Sequence, residues 1–174
     1  DQKSLHILKN AKLSGEVLLN LVNNVLDAAK LRSEKMELAS IEVNFDSIIN
    51  KVFTINSENL KRGGITAKAE IDKKLPKSLW IDPSRILQIF MNLMSNALKF
   101  TSKGGITISA EQLIHSQEEY IQISIHDTGI GIKEEDKGKL FKMFGKIEQS
   151  NTIVNRHGVG LGLNISENLS KLLC

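Results

Sequence analysis

The sequence predicts an α+β fold, a two-layer α/β sandwich preceded by one long α-helix. Three observations carry this expectation. Apolar residues step by three and four through the first forty positions. Later segments switch between that period and strict alternation. Two of the alternating segments are joined by a short loop, which suits an α+β sandwich better than a doubly wound parallel sheet. Taken in order, Leu8, Ala11, Gly15, Leu18, Val22, Val25 and Ala29 form the seam of a bundle or coiled-coil helix, widened by Leu5, Leu19 and Leu26. No second helix of matching pattern follows, so the seam should dimerise or be covered by a further helix; docking on the chain's own domain is the alternative.

From Ile41 the pattern is mixed. Asp46 is placed to cap a helix carrying Ile48, Ile49, Val52, Phe53 and Leu60, which Gly63-Gly64 ends. Ile65, Ala67, Ala69 and Ile71 then alternate with polar residues as a half-buried strand does. Asp82-Pro83 supplies an N-cap and a first-turn proline for an apolar helix from about Ser84 to Phe100. Gly104-Gly105 turns into a strand with Ile106, Ile108 and Ala110, and Tyr120 to Asp127 forms another. After a glycine-rich segment, a closing helix starts near Leu163. The organisation is therefore a helix over residues 1–40 followed by one domain over residues 41–174.

Composition excludes several classes. The 174 residues, 41% hydrophobic and 25% charged, fit one substantial domain or one domain with an appendage, and are too apolar for intrinsic disorder. A formal charge of +3 is too small and too evenly spread to point to nucleic acid or an acidic membrane surface. The single cysteine, Cys174, allows no internal disulfide and no cysteine zinc site, and fits a reducing compartment. The longest uncharged stretch, Ile86 to Leu98, falls short of the ~20 residues that span a bilayer. Nothing at the amino terminus reads as a signal peptide, and a soluble chain is expected.

Three features could carry chemistry. Gln88, Asn92, Asn96 and Lys99 break the apolar helix at spacings that put them on one face. Asparagine is a poor helix former because its amide competes for backbone hydrogen bonds. Such a stripe is either a solvated face or a set of neutral oxygens for a hard cation, with Lys99 meeting phosphate. Second, Asp127-Thr128-Gly129-Ile130-Gly131 closes a strand in which Ile121, Ile123 and Ile125 share the parity of Asp127. Its carboxylate should emerge on the apolar side and needs a donor there, a purine amine being one candidate. A plain tight turn is the alternative, and Asp-Thr-Gly is also the triplet of retroviral-type aspartic proteases, whose all-β fold these helical periods oppose. Third, Gly158-Val159-Gly160-Leu161-Gly162 runs into the closing helix, where free backbone N–H groups and the helix dipole favour an anion. Its spacing is neither a Rossmann fingerprint nor a P-loop, and a ligand-free flexible loop is the alternative.

Together these motifs resemble the catalytic ATP-binding region of sensor histidine kinases, in the superfamily of gyrase B, the heat-shock chaperone ATPase and MutL, whose ATP-binding fold is of the Bergerat type. Asn92 through Thr101 is similar to the N box, Asp127 through Ile132 to the first glycine box, Leu140 through Lys146 to the F box, and Gly158 through Leu163 to the second glycine box. The F box and the Lys99-Phe100-Thr101 ending favour the kinases within that superfamily. Residues Ser4 to Leu38 resemble the second helix of the kinase dimerisation domain.

The resemblance implies ATP and Mg²⁺ as cofactors. It implies that Asn92 holds Mg²⁺, Asn96 touches metal or phosphate, Lys99 faces phosphate and Phe100 lies near adenine. Asp127 would accept from the adenine amino group, Gly129 and Gly131 would line the base pocket, and Gly158, Gly160 and Gly162 would hinge a lid and cradle phosphates. Lys146 would be aimed at the terminal phosphate. Lys133 to His157 would form the lid, with Phe141 and Phe144 anchoring it, ordinary core packing being the alternative for both rings. Implied partners are the acceptor-helix segment of the same kinase, a homodimer mate or other helical partner, and a response-regulator receiver, with no nucleic acid. The implied location is the cytoplasm or the cytoplasmic face of a membrane.

Two family parts are not matched. His6 is followed by Ile7-Leu8-Lys9-Asn10, unlike the family's acceptor histidine, and reads as a helix-surface residue. The sequence stops before the glycine turn and two strands that follow the closing helix in the family; it is expected to be either a fragment of a longer kinase or a truncated relative, since without those strands a sheet edge would be unpaired. The expected function is transfer of the γ-phosphoryl of Mg-ATP to a histidine on another helix. The alternatives are a degenerate module used structurally and a superfamily ATPase that hydrolyses.

Overall fold

The structure, a computed structural model, describes residues 2–33, 36–115, 117–142, 145 and 160–173. The amino-terminal helix α1 (Gln2–Arg32) is followed by β1 (Ile41–Asn44), α2 (Phe45–Gly63), β2 (Ile65–Ile71), β3 (Ser78–Ile81) and α3 (Pro83–Phe100). Then come β4 (Gly104–His115), β5 (Glu118–Asp127), a single turn α4 (Glu134–Lys137) and α5 (Gly162–Leu173). The seam expected on α1 is solvent-facing. Its described large apolar side chains, among them Leu8, Leu18, Val22 and Val25, are 48–66% exposed. The carboxyl end docks, where Leu31 joins a cluster of Met36, Leu161, Ile165 and Leu169. The helix ends before Leu38 because Ser33 turns its hydroxyl to the Lys30 carbonyl and the chain leaves for β1.

Two strands escape the sequence pattern. β1 and β3 pair antiparallel, with Glu42 opposite Trp80. Four residues each are too short to display a period of two. Their presence also corrects the start of α2. Because β1 passes directly into the helix, Asn44 rather than Asp46 is the N-cap, its side-chain oxygen accepting from the Ser47 N–H at 3.1 Å. Asp46 sits in the first turn, where its charge complements the helix dipole.

The main sheet has the order β2-β4-β5, with β2 parallel and β5 antiparallel to β4. A βαβ-type crossover from β2 through α3 to β4 accounts for the parallel pair, and the β4–β5 hairpin for the antiparallel one. Among the described residues β5 has one strand neighbour. Helices α2 and α3 cover one face, closing a core of Phe45, Ile49, Val52, Phe90, Met94, Ile106 and Ile108. Helix α3 is apolar on two sides for a reason: it packs on the sheet core and also, through Ile89, against the α5 cluster. No described helix is long and apolar enough to cross a membrane.

Candidate functional site

The start of α3 fixes the site's frame. Asp82, 3% exposed, caps the helix through Oδ1, which accepts from Ser84 N, Arg85 N and Ser84 Oγ. Its Oδ2 accepts from Ala39 N at 3.0 Å, which ties the segment after α1 to the same carboxylate. Burial opposes the charged form, but the Ser84 hydroxyl and the Ala39, Arg85 and Ser84 amides more than offset it, so the Asp82 carboxyl sits below its ordinary value of 3.8.

The polar stripe of α3 divides along its length. Gln88 does not join the others. Its Nε2 donates to Asp27 Oδ2 at 2.8 Å and its Oε1 accepts from Arg85 Nη1 at 2.9 Å, while Arg85 Nη1 also meets Asp27 Oδ1 at 3.1 Å. The first turns of α3 therefore grip α1. One turn on, Asn92 Nδ2 donates to Ser166 Oγ of α5 at 2.7 Å. Asn96, Lys99 and Phe100 are half-buried further along, with the Lys99 ammonium 4.9 Å from the centre of the Phe100 ring.

At the far end of α3 the Asp127 turn closes in. Parity holds: Asp127 stands opposite Ile106 on the face shared by Ile123 and Ile125. Its Oδ1 accepts from Gly129 N at 2.8 Å and from Thr101 Oγ1 at 3.3 Å. Thr101 is the C-cap of α3, so the carboxylate is held against that helix end. The Ile130 N–H donates to the Phe100 carbonyl at 3.3 Å, and Thr128 exchanges hydrogen bonds with Gly105. Gly129 has to be glycine here: a Cβ would lie 2.5 Å from the Phe100 carbonyl oxygen and 2.6 Å from Asp127 Oδ1. Gly131 and Gly160 follow with φ of 70° and 75°.

The third stretch reaches the middle of α3. Gly162 is the first residue of α5, and a Cβ there would overlap the Asn92 amide, 2.7 Å from its Cγ. The expected Asn92, Asn96, Lys99, Phe100, Asp127, Gly129 and Gly162 are thus gathered along one helix, with Gly131 and Gly160 adjoining in sequence. Lys146, Gly158 and Phe144 lie outside the described residues. Phe141 corrects the expectation of a packed anchor: the residue is 49% exposed, and its carbonyl accepts from Asn164 Nδ2 at 2.8 Å. Sequence reasoning passed over Ser166 as a partner of the site and met Thr101 only as the end of a motif. Neither carries a local signal, since both act through contacts far apart in the chain.

The arrangement fits a magnesium nucleotide. Neutral amide oxygens suit a hard cation that keeps much of its coordination to phosphate and water. At Gly129 and Gly162 a Cβ would collide with Phe100, Asp127 or Asn92, so it is the missing side chain that lets both segments close on α3. Residues 81–174 match the family described as histidine kinase-, DNA gyrase B- and HSP90-like ATPases. The chain belongs to that family. It corresponds to the ATP-binding catalytic region of histidine kinases. Hybrid signal transduction histidine kinase C of Dictyostelium discoideum is 36% identical over 161 residues, 92% of this chain and 13% of that protein. The chain therefore spans a small part of such a relative. Full-length ShkA in complex with AMPPNP has a similar fold, with a TM-score of 0.75 and 31% identity over 91% of this chain and 31% of that one. Histidine kinase ThkA in complex with response regulator protein TrrA gives 0.54 and 26% over 73% and 37%.

Proposed function

We propose that this histidine kinase region binds Mg-ATP along α3 and donates its γ-phosphoryl group to a histidine on an acceptor helix of the same kinase. In the transfer the bond between the γ-phosphorus and the β–γ bridging oxygen breaks, a phosphorus–nitrogen bond forms to the imidazole, and ADP leaves. The observation that supports this reading is the convergence of two distant stretches on α3. The Asp127–Gly129 turn meets its end at Phe100 and Thr101, and Gly162 meets its middle at Asn92.

The residues divide the work. Both hydrogen bonds to Asp127 from its described neighbours fall on Oδ1, which leaves Oδ2 to accept from the adenine amino group. Gly129 and Gly131 let the base lie against backbone. Asn92 would hold Mg²⁺ through its amide oxygen, Asn96 would meet metal or phosphate, and Lys99 and Lys146 would bind phosphate oxygens. Gly160 and Gly162 present N–H groups at the start of α5, where the helix dipole favours anions, and Gly158 is assigned to the same phosphate loop. When bound, Mg²⁺ supplies neutralisation of the triphosphate charge. The protein's part is then positioning and water exclusion rather than covalent chemistry. Residues 1–40 belong to the dimerisation and phosphoacceptor domain, and the domain proper runs over 41–174. A response-regulator receiver is the partner, a reading supported by the complex of ThkA with the response regulator TrrA.

Titration with labelled ATP in the presence of Mg²⁺ tests the reading. Saturable binding is expected, and no binding at millimolar nucleotide overturns it. Phosphate moving to an added acceptor-helix protein supports transfer, whereas release of free phosphate alone makes the chain a hydrolase. Asp127→Asn should weaken ATP binding roughly tenfold, the loss of one charge-assisted hydrogen bond, with an unchanged melting profile. Equal affinity in that variant removes Asp127 from the base pocket.

A further inference from the structure

We propose that Thr101 is a positioning residue for base recognition: its hydroxyl pins one oxygen of the Asp127 carboxylate against the end of α3, so that the other is presented to the adenine amino group. The proposal rests on the reading of Asp127 as the acceptor of that amino group. An ionised carboxylate has two equivalent oxygens and only accepts hydrogen bonds. Left without a fixed donor, it turns about its last side-chain torsion, and the oxygen meant for a ligand is in place only part of the time. The site therefore gains from a donor that holds the carboxylate relative to the rest of the nucleotide cradle.

Thr101 is such a donor. Its Oγ1 lies 3.3 Å from Asp127 Oδ1, and because the ionised carboxylate has no proton to give, the bond can run only from hydroxyl to carboxylate. Thr101 is 3% exposed, so water has little access to take the place of that hydroxyl. The Gly129 N–H meets the same oxygen at 2.8 Å, but it belongs to the turn that carries Asp127 and moves with it. Thr101 stands on another element. Its backbone N–H bonds to the Ala97 carbonyl and closes α3, the helix that carries Asn92, Asn96 and Lys99. The Ile130 N–H and the Phe100 carbonyl register the backbone of the turn to that helix end, and Thr101 registers the carboxylate itself. With both donors on Oδ1, Oδ2 receives no hydrogen bond from the described residues.

The test compares the affinities of ATP and of purine riboside triphosphate, the analogue with hydrogen in place of the adenine amino group, in the full chain and in Thr101→Val, Thr101→Ser and Asp127→Asn. The unaltered chain is expected to prefer ATP roughly tenfold, the worth of one charge-assisted hydrogen bond. Valine keeps the shape of threonine without the hydroxyl, and the extended backbone at this position, φ −104° and ψ 111°, suits it. Thr101→Val should cut the preference to about twofold through lost ATP affinity, with affinity for the analogue kept within about twofold. Thr101→Ser returns the hydroxyl and should return the preference. Equal losses for both nucleotides in Thr101→Val would mean a packing role and overturn the proposal, as would a serine variant no better than the valine one. If Asp127→Asn abolishes the preference and Thr101→Val keeps it whole, the proposal fails and the reading of Asp127 stands. If Asp127→Asn keeps the preference, or the unaltered chain shows none, the reading of Asp127 fails first and the proposal falls with it. A measurement on the unaltered, nucleotide-free protein covers the case of a valine variant that does not fold. The hydroxyl proton of Thr101 should exchange with solvent slowly enough to be seen by NMR, and exchange at the rate of a free hydroxyl overturns the proposal.

Discussion

Asp82 serves two distant segments with one carboxylate, capping α3 with Oδ1 and holding Ala39 with Oδ2. Because its folded pKa lies below the ordinary 3.8, its contribution to stability is complete above that value. The contribution declines as pH falls through the lower folded-state value, and denaturant midpoints measured from pH 6 downward should drop accordingly. In Asp82→Ala that acid-side decline should be smaller. The substitution should also cost about 2 kcal/mol at neutral pH by urea unfolding, the upper range for a lost helix cap, since a second segment is released with it. Gly129→Ala belongs to the same scale. The added methyl cannot fit without moving Asp127 or the Phe100 carbonyl, so about 1–3 kcal/mol of stability should go, together with nucleotide affinity. Wild-type affinity in that variant would show that the turn shifts freely. Of these residues, Asp127 and the Asp82 cap were legible in the sequence, because parity along a strand and the Asp-Pro pair are local signals. Thr101 and Ser166 were not, because their meaning lies in partners 26 and 74 positions away.

Among the elements, α3 is the one the others are built around. Its stripe of polar residues looked uniform in sequence and proves to have two roles. Gln88 with Arg85 holds Asp27 of α1, whereas Asn92 meets Ser166 of α5. Asp27 is 8% exposed, so removing its cationic partner leaves a carboxylate poorly solvated. Arg85→Ala should cost about 2 kcal/mol, discounted from fully buried pairs because Arg85 keeps some contact with water. A double-mutant cycle with Asp27→Ala should return a coupling above ~0.5 kcal/mol, and additive single effects would show the pair to be idle. The long periodic helices and the strands in the main sheet were readable from period alone. The β1–β3 ribbon was not, since four residues give no period, and missing it misplaced the cap of α2 from Asn44 to Asp46.

At the scale of the molecule, the apolar face of α1 is the largest departure from a self-sufficient monomer. Sedimentation is expected to show concentration-dependent association. Leu18→Glu with Val22→Glu, two substitutions one turn apart on that face, should return the chain to a monomer. Association unchanged by the pair would move the contact elsewhere. The fold class was legible because periods add up over long segments. The parallel pairing of β2 with β4 was less so, since strand order depends on where α3 crosses and not on any one segment.

The grip of Asp27 on α3 has a mechanical consequence. Successive residues of a helix are displaced by about 100° around its axis, so turning α1 by a single position would swing Asp27 clear of both Arg85 and Gln88. Gln88 stands one turn before Asn92 on the same helix face. Torque applied to α1 is therefore delivered next to the residue proposed to hold the metal, with the helix itself as the crankshaft.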